Sequence, residues 1–478
     1  MTHPPRSGHF LQTGFTSPKG NESFSSETIA AVSTPAGRSA IGLIRLTGPK
    51  TFEILKRIFK PRGKSHFPSH LLAFPGVIFD PETNSIIDTV LLTTFKGPAS
   101  FTGEDLAEIG AHGNPVVLTA ILSLLFKLGI VPAEPGEFTR RAFLNGKMDL
   151  LDVEATSQVL TATSHSQALI ALNQMEGMPS VILGKLRTKL IDYLTQVEAG
   201  INFPEDAIDE IDTEKMRRDL NEIILDLDRF HKFALQGSLV ASGLQLVLIG
   251  KPNAGKSSIL NAVLGRERAI VTDIPGTTRD TLEETWTVSG FPVKLIDTAG
   301  IRKPGDKLEE LGIDRTKKAI DGAFLLLAVF DASQPESPED LEVLQLMRSS
   351  GKPALAVLNK CDLEEKFQQS VLADIHTVRT SAISGEGVDD LLNSIETMIN
   401  KQGLSHLSDL ILLGAQQTDA LAKALASLKN IHENLPGMYH DLLSIDLSDA
   451  VRNLGKVTGE TIDVDTLNLI FEKFCIGK

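Results

Sequence analysis

The chain has 478 residues, enough for about three domains, and its 42% hydrophobic content is that of ordinary globular proteins. It carries 61 acidic and 47 basic residues, a net charge of −14, so a nucleic-acid partner would have to meet a local basic patch. Two cysteines exclude a disulfide scaffold and favour a cytoplasmic protein, and no run approaches the ~20 apolar residues of a membrane span.

The first half of the chain begins with a polar segment and continues with mixed patterns. Residues 1–26 are rich in Ser, Thr, Pro and Gly and lack an apolar signal core, which predicts a disordered leader. Within residues 27–145, the patterns at 41–46 and 89–93 predict strands, and an Asn-Pro pair precedes a predicted helix at 116–128. This region is predicted to be an α+β domain.

Two helical blocks flank a region of alternating strands and helices. Residues 146–240 are predicted to be helical, with one apolar face formed by Leu220, Ile223, Ile224 and Leu227. Residues 241–400 alternate strands with helices, which predicts a parallel sheet. Residues 401–478 return to helical patterns at 410–428 and 442–454. We therefore expect an α/β nucleotide domain inserted into a helical domain and preceded by the α+β domain.

A phosphate-binding loop is predicted at Gly250–Ser257. It follows an apolar strand, Leu244–Ile249, and precedes a segment of helical spacing, Ser258–Leu264. In such a loop, backbone N–H groups and the helix N-terminus bind phosphate oxygens. Lys256 would reach the β- and γ-phosphates, and the Ser257 hydroxyl would bind Mg²⁺.

Two later segments are expected to sense the γ-phosphate. Asp297-Thr298-Ala299-Gly300 ends a mostly apolar strand, so that Asp297 would bind Mg²⁺ through water and the Gly300 N–H would reach the γ-phosphate. Residues 272–280 lie between this motif and the phosphate loop. Thr278 is predicted to complete the Mg²⁺ shell.

The motif Asn359-Lys360-Cys361-Asp362 predicts guanine specificity. The Asp362 carboxylate would accept hydrogen bonds from guanine N1–H and its amine, Asn359 would face N7, and Lys360 would cover the ring. We interpret Cys361 as a small buried residue. The predicted GTP-binding residues are Asn253, Ala254, Gly255, Lys256, Ser257, Ser258, Thr272, Asp273, Ile274, Pro275, Gly276, Thr277, Thr278, Asp297, Thr298, Ala299, Gly300, Asn359, Lys360, Asp362, Ser381, Ala382 and Ile383.

The residue after Gly300 is Ile301, which cannot orient an attacking water as a glutamine does in Ras-like proteins. Hydrolysis therefore requires another polar group, from a mobile loop or a partner. The acidic candidates downstream are Asp306, Glu309 and Glu310, and from position alone the ordinary interpretation of each is a solvated surface charge.

Several motifs resemble the MnmE (TrmE) family of tRNA-modification GTPases, over about residues 27–478. They are Thr34-Pro35-Ala36-Gly37-Arg38, Ser100-Phe101-Thr102-Gly103-Glu104-Asp105, Pro135-Gly136-Glu137-Phe138, Arg141-Ala142-Phe143-Leu144-Asn145, Gly276-Thr277-Thr278-Arg279-Asp280 and Phe474-Cys475-Ile476-Gly477-Lys478. The resemblance implies a homodimer that works with the flavoprotein MnmG, and with its FAD and NADH, in a heterotetramer or larger complex. Together they would install an aminomethyl or carboxymethylaminomethyl group at C5 of the wobble uridine in certain tRNAs.

The resemblance also implies a folate site that supplies the one-carbon unit. The ligand would be 5-formyl- or 5,10-methylene-tetrahydrofolate, bound by Arg45, Glu108, Lys147 and Lys478. An Arg or Lys can pair with a carboxylate, and a Glu can accept from an aminopyrimidine. For Arg45, a structural ion pair is the alternative. The family requires the cysteine at Cys475 for modification, whereas a buried structural thiol is the ordinary interpretation of its position.

By the same resemblance, GTP hydrolysis uses K⁺ and the meeting of two G domains. The K⁺ ligands would be Asn253, Thr272, the Ile274 carbonyl and Thr277, with Mg²⁺ on Ser257 and Thr278, and Glu309 would orient the water. One alternative is a GTP-dependent ribosome-assembly switch, although no basic RNA-binding module is evident. Another is a folate-dependent aminomethyl transferase that uses GTP only for regulation.

Overall fold

The computed structural model describes residues 27–62, 72–202, 212–266, 285–288, 290–297, 318–404, 407–435, 438–462, 464–472, 474 and 476–477. The predicted leader, residues 1–26, lies outside them. Two compact units are present. The first takes in the described residues of Met1–Ser157, Gly177–Leu227 and Ala415–Lys478, and the second those of Gln158–Glu176 and Asp228–Gly414.

The described strands and helices are numbered in chain order. The strands are β1 (Ile29–Val32), β2 (Ile41–Thr47), β3 (Phe59–Pro61), β4 (Leu72–Phe79), β5 (Ile86–Phe95), β6 (Leu106–His112), β7 (Val131–Pro132), β8 (Leu244–Ile249), β9 (Thr285–Val288), β10 (Phe291–Asp297), β11 (Leu325–Asp331), β12 (Ala354–Asn359) and β13 (Thr377–Arg379). The helices are α1 (Thr51–Ile58), α2 (Pro115–Lys127), α3 (Glu137–Leu144), α4 (Leu150–Thr161), α5 (His165–Met175), α6 (Met178–Asn202), α7 (Thr213–Ser242), α8 (Lys256–Arg266), α9 (Pro338–Ser349), α10 (Val388–Ile399), α11 (Ala415–Asn434), α12 (His440–Thr458) and α13 (Val464–Phe471). Among the helices of the described residues, none is both long and apolar enough to cross a lipid bilayer.

The first unit contains a seven-stranded sheet in the order β3-β4-β5-β6-β2-β1-β7. Its neighbouring strands are antiparallel except for β1 and β7. Helix α2 starts as predicted, because the Asn114 side chain accepts from the Val116 N–H and Pro115 is the first helical residue. Its buried residues Leu118, Ile121 and Leu125 join the core beneath the sheet.

The helices of the first unit pack along predicted apolar faces. Leu220, Ile223, Ile224 and Leu227 are all buried, which confirms the amphipathic face of α7. Helix α6 contacts α12 and the residues after it, since Arg187 donates from Nε to the Val451 carbonyl at 3.3 Å and forms an ion pair with Glu460. The two predicted helical blocks therefore meet in one unit.

The predicted helix at 410–428 begins later than expected. Helix α11 starts at Ala415, while Leu410 and Leu412 are buried in the core of the second unit. The Leu412 N–H donates to Gln174 Oε1 at 2.7 Å, and Gln174 Nε2 donates to the Leu412 carbonyl at 3.0 Å. A side-chain amide thus replaces the helical partners of this backbone.

The second unit contains a six-stranded sheet in the order β13-β12-β11-β8-β10-β9. All neighbouring strands are parallel except β9, which is antiparallel to β10. Leu244, Leu246 and Leu248 enter one hydrophobic cluster, and Val247 and Ile249 enter another. The sheet is therefore buried on both faces, and the loops after β8, β11 and β12 meet at one edge.

Gly237 offers a test of the packing between α7 and the backbone around Ile411. A Cβ at this position would lie 2.0 Å from the Ile411 carbonyl oxygen, which is backbone and cannot rotate away. We expect Gly237→Ala to lower the free energy of unfolding by about 1–3 kcal/mol, despite the better helix propensity of alanine. Chemical denaturation followed by circular dichroism measures the change.

The matched control is Gly265→Ala in α8, where an added Cβ meets nothing within 4 Å. Its free energy of unfolding should stay within about 0.5 kcal/mol of the parent. An equal loss in both variants would contradict the proposed contact.

Candidate functional site

The loop between β8 and α8 has the shape of a phosphate cradle. Gly250 has φ 151°, and a Cβ there would lie 2.4 Å from the Val329 carbonyl oxygen of β11. Gly255 has φ 99°. Both positions favour glycine, because an L side chain rarely adopts these backbone angles. Asn253, a non-glycine residue with φ 63°, is exposed at the loop.

Lys256 begins α8 and folds back over the loop. Its Nζ donates to the Gly250 carbonyl at 2.8 Å and to the Lys251 carbonyl at 2.9 Å, and the residue is 6% exposed. Ser257 and Ser258 follow it and are exposed in the first turn of α8. An ammonium, a helix N-terminus and a hydroxyl thus lie together at the end of β8, as phosphate and Mg²⁺ require.

The Asn359 side chain joins the phosphate loop to the loop after β13. Its Nδ2 donates to the Ala254 carbonyl at 3.1 Å, and its Oδ1 accepts from the Ala382 N–H at 3.1 Å. Asn359 is 2% exposed, so this amide is held by protein on both sides. A Cβ at Gly255 would lie 2.1 Å from Asn359 Nδ2. The loop and the guanine motif therefore fit only with glycine at this position.

Asp331, at the end of β11, is a site residue that the sequence analysis missed. Its Oδ2 lies 2.6 Å from Lys360 Nζ, and its Oδ1 accepts from the Ser333 N–H and hydroxyl at 3.0 and 2.6 Å. Lys360 also donates to the Asn253 carbonyl at 3.0 Å. Burial acts to raise the pKa of the Asp331 carboxyl, but the hydrogen bonds from Lys360 and Ser333 lower it overall.

The signal for Asp331 was present in the sequence. A carboxylate follows the all-buried strand β11, at the edge where the carboxyl ends of parallel strands carry binding residues. Its pairing with Lys360 orients the lysine that was predicted to cover guanine. Lys360 itself has φ 66°, a left-handed conformation that a non-glycine residue adopts only when its surroundings hold it there.

Some of the remaining predicted nucleotide residues lie within the described part of the chain, and the others lie outside it. Asp362 and Ile383 are exposed, Ser381 is buried, and Ala382 donates to Asn359 as described. Asp297 is the last residue of β10. The residues Thr272, Asp273, Ile274, Pro275, Gly276, Thr277, Thr278, Thr298, Ala299, Gly300 and Glu309 lie outside the described part of the chain.

Cys361 departs from its predicted burial. It is only partly buried, and burial is the main cause that raises the pKa of its thiol. Its N–H donates to the Thr380 carbonyl at 3.1 Å. The backbone, rather than the thiol, therefore carries the structural role at this position.

Two of the predicted folate residues face each other in the first unit. Arg45 on β2 is directly opposite Glu108 on β6, and Arg45 Nε and Nη2 donate to Glu108 Oε1 at 3.1 and 2.7 Å. The Arg45 guanidinium also lies 5.4 Å from the Phe101 ring centroid and 5.7 Å from that of Phe138. The ion pair expected as the alternative for Arg45 is thus present, and its partner is itself a predicted folate residue.

Lys147 and the end of the chain approach the same region. Lys147 Nζ donates to the Pro98 carbonyl at 3.0 Å, in the loop that carries Phe101. The Ser33 hydroxyl donates to the Gly477 carbonyl at 2.9 Å, and the Ser33 N–H donates to the Leu43 carbonyl on β2 at 2.7 Å. Cys475 and Lys478 lie outside the described residues.

The parallel sheet, the glycine loop with its lysine and the Asn-Lys-Cys-Asp motif define a P-loop GTPase. A model of the MnmE helical domain matches residues 150–475, and a model of the GTP-binding protein TrmE N-terminus matches residues 28–147. The chain belongs to the MnmE family of tRNA modification GTPases.

Full-length relatives agree with these matches. A tRNA modification GTPase MnmE from Alkaliphilus oremlandii is 38% identical over 463 residues, covering 95% of this chain and 99% of the relative. MnmE from Thermoanaerobacter pseudethanolicus is 40% identical over 460 residues, with coverage of 95% and 99%. MnmE from Lactiplantibacillus plantarum is 39% identical over 459 residues, with coverage of 95% and 98%.

Asp331 provides a test of the guanine site. Replacing it by asparagine removes the charge that holds Lys360, so we expect Asp331→Asn to weaken GDP affinity about tenfold. Isothermal titration of the full chain measures the affinity.

The control is Asp374→Asn, which breaks the exposed Arg348–Asp374 ion pair in the same unit. GDP affinity should be unchanged in this variant. If Asp331→Asn lowered only the unfolding temperature, Asp331 would have no role in holding Lys360 for guanine.

Proposed function

We propose that this chain is a K⁺-activated GTPase that acts with MnmG to install the (carboxymethyl)aminomethyl group at C5 of the wobble uridine in certain tRNAs. The observation that carries the proposal is identity of 38–40% to MnmE relatives along 95% of the chain. GTP hydrolysis would drive the cycle, with the homodimer and MnmG, through its FAD and NADH, as partners, in the cytoplasm. The proposed boundaries are a leader at 1–26, a folate and dimerisation domain at 27–145, helical parts at 146–240 and 401–478, and a G domain at 241–400.

The cation sites rest on the chemistry of the donors. Mg²⁺ would take the Ser257 hydroxyl, which is exposed at the start of α8, together with Thr278. K⁺ would take the side-chain oxygen of Asn253, with Thr272, the Ile274 carbonyl and Thr277. These are all neutral oxygen ligands, which suit a hard monovalent cation. Asn253 is exposed at the loop, where its side-chain oxygen is accessible to a cation.

Hydrolysis would need a further polar group besides the phosphate loop. Glu309 would orient the water, since Ile301 cannot. Positive charge from K⁺ would stabilise the charge that develops on the transferred phosphoryl group. Lys256 is already placed at the loop by its two carbonyl contacts, and from there its ammonium would reach the phosphate oxygens.

The folate site rests on the pairing of Arg45 with Glu108. Both arginine bonds go to Oε1, so Oε2 can accept from the amine of a pterin ring, and the half-buried Phe101 ring provides flat apolar surface beside it. The Phe138 ring is fully buried and supports the Arg45 guanidinium from within the protein. Lys147 and Lys478 would pair with the glutamate tail. Bound tetrahydrofolate would supply the one-carbon unit.

The end of the chain fits a role at this same site. Gly477 bonds to Ser33, Ser33 bonds to Leu43, and Leu43 shares a face of β2 with Arg45 two residues further on. Ile476 forms an isolated bridge with Pro135. The residues that flank Cys475 are therefore close to the predicted folate residues, and we propose that Cys475 takes part in the modification.

Potassium dependence tests the cation assignment. Replacing Na⁺ by K⁺ at constant ionic strength should raise GTP turnover, because both ions carry one positive charge but the proposed site would hold the larger K⁺. The Asn253→Ala variant should lose most of this difference. Equal wild-type rates in the two salts would show that the K⁺ site is wrongly assigned.

Nucleoside mass spectrometry of tRNA tests the modification. Cells carrying only the Cys475→Ser form should lose the modified wobble uridine while the purified variant keeps its GTP turnover. The matched control is Cys361→Ser, which should keep both, because Cys361 contributes its backbone rather than its thiol. Unchanged tRNA in the Cys475→Ser strain would refute the role of this thiol.

A further inference from the structure

Lys251, the second residue of the phosphate loop, forms an ion pair with a helix beyond the loop. Its Nζ lies 2.6 Å from Asp340 Oδ2 and 3.3 Å from the Ser337 hydroxyl, at the start of α9. Asp340 is completely buried, and the Lys251 side chain is 17% exposed. The first half of the loop therefore contacts α9 through this ion pair and packs against β11 at Gly250.

The Asp340 carboxylate needs this ammonium. Its Oδ2 also accepts from the Ser337 N–H at 3.0 Å and the Ser337 hydroxyl at 2.8 Å, which completes the capping box of α9. Within the described part of the chain, Oδ1 has no hydrogen-bond partner. Because a buried carboxylate without a counter-charge is strongly unfavourable, Asp340 holds Lys251 firmly.

The backbone of Lys251 in turn holds the phosphate-binding lysine. Lys256 Nζ donates to the Lys251 carbonyl at 2.9 Å and to the neighbouring Gly250 carbonyl at 2.8 Å. A continuous series of contacts thus runs from Asp340 through Lys251 to Lys256. If Lys251 moved, one of the two carbonyls that place the Lys256 ammonium would move with it.

We propose that Asp340 is a positioning residue for nucleotide binding, which acts through Lys251 to place Lys256 for the phosphates. Its side-chain contact with the phosphate loop is through Lys251, which is not among the predicted GTP-binding residues. The ion pair serves the phosphate end of the nucleotide, whereas Asp331 and Lys360 serve the base end. This role for Asp340 rests only on the proposed GTPase function and is independent of the proposed folate and K⁺ sites.

The test compares GDP affinities of full-length variants. Asp340→Asn and Lys251→Met should each weaken GDP binding about tenfold, and the double variant should bind no more weakly than either single variant, because the two residues act as one unit. Lys251→Arg keeps the cation and should restore affinity to within about twofold of the parent. The control Glu342→Gln, at an exposed carboxylate of α9, should leave affinity unchanged.

A second arm separates positioning from helix capping. In a Lys256→Ala background, Asp340→Asn should cause no further loss of GDP affinity. Either an additional tenfold loss in that background, or a lowered unfolding temperature with unchanged affinity in Asp340→Asn alone, would overturn the proposal. If Asp340→Asn does not fold, the double variant Lys251→Met with Asp340→Leu carries both arms, since it leaves no unpaired charge in the core.

Discussion

The buried amide of Asn359 is the contact on which the nucleotide site depends. Its two polar ends hold the Ala254 carbonyl and the Ala382 N–H, so one side chain at the end of β12 joins the phosphate loop to the loop after β13. Since the amide is buried, leaving either end without a partner would be unfavourable, and the loops cannot separate freely. Gly255 is required by the same contact, because any Cβ would occupy the position of the amide nitrogen.

Around this contact, buried carboxylates hold two lysines of the loops that form the nucleotide site. Asp331 holds Lys360 at the end of β11, and Asp340 holds Lys251 at the start of α9. The chain has a net charge of −14, so its long-range field does not attract an anionic nucleotide. Attraction must come from ammonium groups at short range, and their exact placement therefore matters more here than in a basic protein.

Much of this arrangement could be predicted from the sequence. The strand, loop and helix around Gly250–Ser257 were specified by local patterns, since the glycines and the alternation of apolar runs act over a few residues. The start of α11 could not be predicted, because Leu410 and Leu412 have apolar spacing that suits a helix equally well. A bond from Gln174, 238 residues away in sequence, decided the backbone conformation there.

The ion-pair partner of Arg45 likewise could not be predicted from the sequence. Its partner Glu108 is 63 residues away, and their contact follows from the register of β2 with β6. The role of Asp331 was not predicted for a different reason. A carboxylate after a strand is common, and only its contact with Lys360 shows its role.

The pairing of Arg45 with Glu108 does not compete with a ligand role for either residue. An arginine has five N–H donors, and a carboxylate has two oxygens, so one two-bond contact at Oε1 leaves both groups able to bind more. The side chains are 14% and 24% exposed, which keeps them partly desolvated but accessible. The pair fixes the rotamers of both residues in advance, so a ligand would meet a formed site and lose less entropy on binding. The ion pair between Arg45 and Glu108 is therefore compatible with the folate role proposed for both residues.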